Sequence, residues 1–98
     1  MLCITAIIKV KRGYAHVLAD ALLEVAAHVR QNEPQTQGFF IAQDGEDPCI
    51  FTTYERFTDR TAMDNHNGSD VVAHFFAIAK PILDGEVTLI TSNEISAK

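Results

Sequence analysis

Several residue types and patterns are missing from this sequence. In 98 residues it has no tryptophan, only two cysteines and no cluster of lysine or arginine, and its net charge is −5. Neutralising phosphates takes a basic patch, so nucleic acid is excluded as a partner. No apolar run approaches the roughly 20 residues a membrane span needs, and no membrane association is expected. The run Met1 to Val10 has no basic segment ahead of its apolar residues and alternates like a strand. It is therefore not read as a signal peptide, and the chain is expected in the cytoplasm. Cys3 and Cys49 form no Cys-x-x-Cys pair, so they read as two reduced strand residues. Zinc-type ligand spacing, a glycine-rich phosphate loop, a nucleophile elbow and a dinucleotide fingerprint are all absent. No metal and no stable prosthetic group are expected.

Apolar residues make up 47% of the chain, enough for one packed core and too few residues in all for two. Residues 1–98 are read as a single domain. Residues 2–10 alternate, with Leu2, Ile4, Ala6, Ile8 and Val10 on one face of a first strand, and Arg12-Gly13 makes a turn. Residues 14–31 carry apolar side chains at helical spacing, and Pro34 stops that helix. Phe39 to Gln43 and Cys49 to Phe57 read as second and third strands around a turn-rich loop. In the third strand Phe51, Thr53, Glu55 and Phe57 share one face, and Ile50, Thr52, Tyr54 and Arg56 the other. Thr58 is read as the cap of a short helix that Asn67-Gly68 ends, and Ser69-Asp70 caps the next. Pro81 should fray the end of that last helix. Val87 to Thr91 reads as a fourth strand, followed by an irregular polar tail from Ser92.

The order β-α-β-β-α-β predicts an α+β fold of the ferredoxin-like kind: an antiparallel four-stranded sheet with its helices on one face. The open face also carries apolar residues, namely Cys3, Ile7, Ile50, Tyr54 and Ile90. A second copy of the chain, packed sheet to sheet about a two-fold axis, is the simplest cover, so a homodimer is expected.

The chemistry concentrates between Ile50 and Phe76. Glutamate is rare in strands and costly to bury alone, yet Glu55 sits on the apolar face of the third strand. His66 closes the short helix that follows. A buried carboxylate beside an imidazole can tune the imidazole and fix its tautomer, making His66 a general base that Glu55 orients. The same pair could instead only anchor the helix to the sheet. Phe39, Phe51, Phe57, Phe75 and Phe76, with Met63, are candidates for a slot that takes a flat aromatic substrate, and equally for ordinary core. His74 lies in the last helix beside two phenylalanines and is a further candidate for that slot. His16 and His28 read as solvated residues of the first helix.

The run Tyr54-Glu55-Arg56-Phe57, then Ala62-Met63, His66, Ser69 and Phe75-Phe76, resembles the antibiotic biosynthesis monooxygenase domain. The stretch Arg30 to Pro34, an Arg-x-x-Glu-Pro run, matches more loosely. The resemblance implies a dimeric α+β barrel, with a pocket between each sheet and its helices. It also implies oxidation of a small phenolic, quinol or polyketide-like aromatic substrate by O₂ without a cofactor. Glu55 and His66 would be catalytic; Phe51, Phe57, Met63, His74 and Phe75 would bind substrate. Val71 stands where members of the family often carry a second histidine. Haem-degrading relatives use an asparagine on the first strand, and this strand has none. Other members isomerise small ketones, so an isomerase using the same pair, or a binding module without chemistry, remains an alternative.

Overall fold

The computed structural model describes residues 1–98. The elements run β1 (Leu2–Lys9), α1 (Ala15–Asn32), β2 (Thr36–Gln43), β3 (Ile50–Phe57), α2 (Arg60–Asn67), α3 (Asp70–Ala79), a 3₁₀ turn (Lys80–Ile82) and β4 (Thr88–Asn93). The strands form one antiparallel sheet in the order β2-β3-β1-β4, which is the ferredoxin-like arrangement.

Alternation in β1 and β3 decides what each face of the sheet carries. Ile4, Ala6 and Ile8 of β1 and Phe51, Thr53, Glu55 and Phe57 of β3 are buried under the helices. The apolar stripe of α1, including Leu18, Leu22 and Val25, closes onto this face, and α1 and α3 pack against each other. Phe57, Ile4, Leu18 and Val10 are the largest fully buried side chains. Each contributes about 1.5–3 kcal/mol by leaving water. A smaller apolar cluster of Ile4, Phe57, Ala62 and Met63 seats α2 on the sheet.

Local chemistry places the ends. Gly13 has φ +93°, which only glycine adopts freely, and turns the chain into α1. Pro81 falls in the 3₁₀ turn directly after α3, as its missing N–H requires. Three of the boundaries that differ from the sequence reading have a visible cause. Asp59, not Thr58, caps α2: its Oδ1 accepts from the Ala62 amide at 2.9 Å, one turn inside the helix. Strand β2 begins at Thr36, because the polar residues 36–38 join the β3 ladder through an irregular register. Strand β4 runs to Asn93, because Ser92 and Asn93 pair with Cys3 and Leu2. The residue after it, Glu94, is held by a hydrogen bond from Tyr54 at 2.6 Å and by two from Arg56 at 2.8 and 2.9 Å.

The uncovered face of the sheet carries Ile7, Phe40 and Ile90, which are 42%, 59% and 50% exposed. Phe40 extends the apolar patch read from the sequence; Cys3, by contrast, is buried, with its thiol 3.5 Å from the Ser92 carbonyl oxygen.

Candidate active site

Strand β3 carries Glu55 into the space between sheet and helices. Thr53, two residues earlier on the same face, donates its hydroxyl to Glu55 Oε2 at 2.8 Å and fixes the carboxylate. His66 comes from the last turn of α2, where the negative end of the helix favours a cation. Its Nε2 lies 3.3 Å from Glu55 Oε1. The pair expected from the sequence is therefore in contact, and both members are buried: 4% exposed for His66 and 8% for Glu55.

A third group completes the arrangement. Glu33 is the residue at which the chain leaves α1, with Pro34 behind it and φ −123° in place of a helical value. Its Oε1 lies 2.8 Å from His66 Nδ1 and also accepts from the Thr36 hydroxyl at 2.8 Å. Its Oε2 lies 3.3 Å from His28 Nε2, a close contact without a well-directed hydrogen bond. His66 thus stands between two carboxylates, one on each ring nitrogen. The Phe39 and Phe57 rings pack against its imidazole at centroid distances of 5.7 and 5.4 Å.

Burial alone would push the His66 pKa down, since it disfavours the charged ring. The hydrogen bonds to Glu55 and Glu33, with their negative charges, outweigh that penalty and raise it above the usual 6.5. An imidazolium with both N–H groups engaged has no free lone pair. In that state Glu55, with carboxylate lone pairs to spare, is the better proton acceptor on the sheet side.

Glu55 and His66 form one end of a cavity of about 320 Å³ between the sheet, α1 and α3. Its walls are apolar, with Ile4, Leu22, Val25, Phe39, Phe75 and Leu89 among them, and Thr53 and Asn67 stand beside the acidic end. On the opposite side of His66 lies a polar recess of about 230 Å³, lined by His28, Asn32, Glu33, Gln35, Asn65 and Ser69 among others. His66 borders both spaces.

The remaining sequence candidates separate. Phe75 lines the cavity, as does Phe76. Phe51 is 2% exposed, belongs to the main core and is not among the residues that line the cavity. Phe57 and Met63 fill the small core beneath α2; Phe57 supports the His66 ring from behind. His74 lies outside the cavity: its side chain is 62% exposed and its Nε2 sits 3.6 Å from Glu24 Oε2 on α1. Its helical position turns it to the surface while Phe75 turns inward. His28, read as solvated, belongs to the recess. Glu33 had one signal in the sequence, a carboxylate at the negative end of a helix just before a proline, where it needs a cationic partner. Val71 packs against the main core. No group of three or more His, Cys, Asp or Glu side chains is arranged to hold a metal ion, and no helix is long and apolar enough to cross a membrane.

Solved structures share this architecture. An antibiotic biosynthesis monooxygenase superimposes with a TM-score of 0.89 at 20% identity, over 98% of this chain and 100% of that one. A Pseudomonas aeruginosa protein gives 0.87 at 22% identity, over 97% and 94% of the two chains. A Mycobacterium tuberculosis protein gives 0.88 at 18% identity, over 98% and 96%. At these identities the likeness is one of fold. No curated protein matches the sequence. The sequence model of the antibiotic biosynthesis monooxygenase family matches residues 1–78, and with most of its length so matched the chain belongs to that family.

Proposed function

We propose that the chain is a cofactor-independent monooxygenase that oxidises a small phenolic, quinol or polyketide-like aromatic substrate with O₂. The observation that carries this reading is an apolar cavity closed at one end by a carboxylate and an imidazole in contact. A volume of about 320 Å³ is at the small end for a ligand site and suits a compact ring system.

The apolar walls take the ring and exclude water, which strengthens every charge interaction at the acidic end. Glu55 accepts a proton from the substrate; the O–H or activated C–H bond breaks and its electron pair stays on the ring. His66, which keeps its Nε2–H on the cavity side, opposes the new negative charge as a hydrogen-bond donor. The electron-rich carbon then forms a bond to O₂, giving a peroxide anion that the Glu55 acid protonates. The hydroperoxide carbon then loses its remaining hydrogen as a proton while the O–O bond breaks, expelling water and leaving a carbonyl, so one oxygen atom ends in the product and the other in water. The substrate supplies all the electrons. This assigns proton removal to Glu55 and charge stabilisation to His66, the reverse of the roles expected from the sequence.

The test is oxygen uptake with a panel of reduced quinols and anthrone-like phenols, corrected for autoxidation, comparing wild type with Glu55→Gln. The variant keeps the shape and a partner for Thr53 while removing the base, and a loss of about 10²–10⁴-fold is expected. Equal rates in the two proteins would remove Glu55 from the chemistry. Turnover that leaves substrate mass unchanged would mark an isomerase using the same pair.

We further propose a cytoplasmic homodimer joined through the open face of the sheet, where Ile7, Phe40 and Ile90 stand exposed together.

A further inference from the structure

The two spaces on either side of His66 differ in kind. The cavity at Nε2 is walled by aliphatic and aromatic side chains, whereas the recess at Nδ1 is lined almost wholly by polar ones. The ring is 4% exposed and each of its nitrogens faces a carboxylate, so those two carboxylates are its direct proton partners. Glu55 is 10% exposed in its side chain and faces the apolar cavity, which a bound ring would dry; Glu33 is 15% exposed and faces the polar recess. The titratable groups facing His66 are Glu55 from β3 and Glu33 from the end of α1, with His28 behind Glu33. From β2 it meets the Phe39 ring, and from β3 also the Phe57 ring.

We propose that His66 exchanges its proton with solvent through Glu33 and the polar recess, so that substrate and protons use opposite sides of the ring. The proposed cycle starts with Glu55 and Glu33 as carboxylates and His66 as an imidazolium. When Glu55 takes a proton from the cavity it becomes neutral, and His66 loses one of its two counter-charges. The Nδ1–H proton then passes to Glu33 Oε1, 2.8 Å away, leaving a neutral imidazole that still donates Nε2–H toward Glu55. The Glu33 acid gives that proton to water in the recess and returns to a carboxylate. One proton has entered from the cavity and one has left to solvent, and the three-residue site has its original charge. The reverse path recharges His66. Glu33 is a positioning residue here: it reaches the cavity only through His66. His28 Nε2 stands 3.3 Å from Oε2, on the recess side of the carboxylate.

This inference rests on the Glu55–His66 pair being a proton-transfer site, but its test needs no turnover. In ¹⁵N-histidine-labelled protein, NMR reads the exchange of the His66 Nδ1 proton with water and the charge state of the ring. Glu33→Gln keeps an acceptor for Nδ1–H and for Thr36 but cannot carry a proton, so exchange should slow by about a hundredfold. Glu33→Asp restores a carboxylate one methylene shorter and should recover part of the rate. Val72→Phe, which fills the apolar cavity, should leave exchange unchanged. Unchanged exchange in Glu33→Gln, or exchange slowed by Val72→Phe, overturns the proposal. If Glu33→Gln fails to fold, the Glu33→Asp and Val72→Phe pair decides: exchange that Glu33→Asp leaves at the wild-type rate, or that Val72→Phe slows, overturns it. Oxygen uptake is measured separately, so an exchange path confirmed in a protein without oxygenase activity would fail the functional reading alone.

Discussion

The two faces of the sheet each hold a cation against carboxylate, and they hold it differently. On the covered face His66 lies between Glu55 and Glu33 with almost no exposure. On the open face Arg56 makes paired hydrogen bonds to Glu94, which Tyr54 also donates to. An arginine does not give up its proton in a protein, so the open-face network can only hold the end of β4 in place. A histidine can, and burial between two carboxylates makes its charge depend on what happens next to it. The same kind of ion pair is therefore an anchor on one face and a responsive site on the other.

Removing each cation in turn should separate the two faces most strongly. His66→Ala strips a buried charge from between two carboxylates and removes the ring that Phe39 and Phe57 pack against. Breaking a buried pair by deleting one partner costs about 3–5 kcal/mol. A large fall in Tm is expected by calorimetry. Arg56→Met removes a cation whose side chain is 28% exposed, against 4% for His66, and the Glu94 carboxylate, in a side chain 8% exposed, keeps the Tyr54 hydroxyl as a donor, so its Tm should fall less. Equal losses would mean that burial does not separate the two networks. The size of the His66→Ala effect is also why Glu55→Gln is the better variant for a rate measurement.

The next effect concerns assembly. Placing charge on the open face, as in the double variant Phe40→Asp with Ile90→Asp, should turn a dimer into a monomer at micromolar concentration by light scattering. The same change on the covered side has no counterpart, because that face is already filled by α1 and α3. Wild-type protein that is monomeric under those conditions would remove the dimer from the proposal and leave the apolar patch unexplained.

What could be read in the sequence follows from how local each signal is. The strand alternation of β3 put Glu55 on the inner face, and the Asn67-Gly68 break put His66 at a helix end; both are properties of a few consecutive residues. The contact between them needs only the short β3–α2 connection, and it is there. Glu33 lies 33 residues before His66, and only the tertiary fold, which sets the chain leaving α1 beside the last turn of α2, brings their side chains together. His74 was misleading for the opposite reason. Its phenylalanine neighbours suggested a slot, but consecutive helical residues point in different directions, and only Phe75 and Phe76 reach the cavity. The polar end of β4 and the start of β2 looked like loop because edge strands need no apolar pattern to keep their ladder.

The smallest effect is the most specific, because it separates the faces by pH. His66 has a raised pKa in the folded state, so the folded chain binds its proton more tightly than the unfolded chain does. That contribution to stability is complete below the ordinary value of 6.5 and is lost as pH rises through the folded value. Glu94 behaves oppositely. The Arg56 hydrogen bonds first, then the one from Tyr54, hold its carboxyl down from 4.5 to about 2. Its contribution is complete above 4.5 and disappears as pH falls from 4.5 toward 2. Thermal denaturation across pH should therefore show the covered site weakening on the alkaline side and the open-face network on the acid side. His66→Gln should flatten the wild-type slope above 6.5 and leave the acid limb alone; Glu94→Gln should flatten the limb below 4.5 and leave the upper one alone. If Glu94→Gln instead altered the slope above 6.5, the two faces would be electrostatically one system, and the distinction between an anchor and a responsive site would not hold.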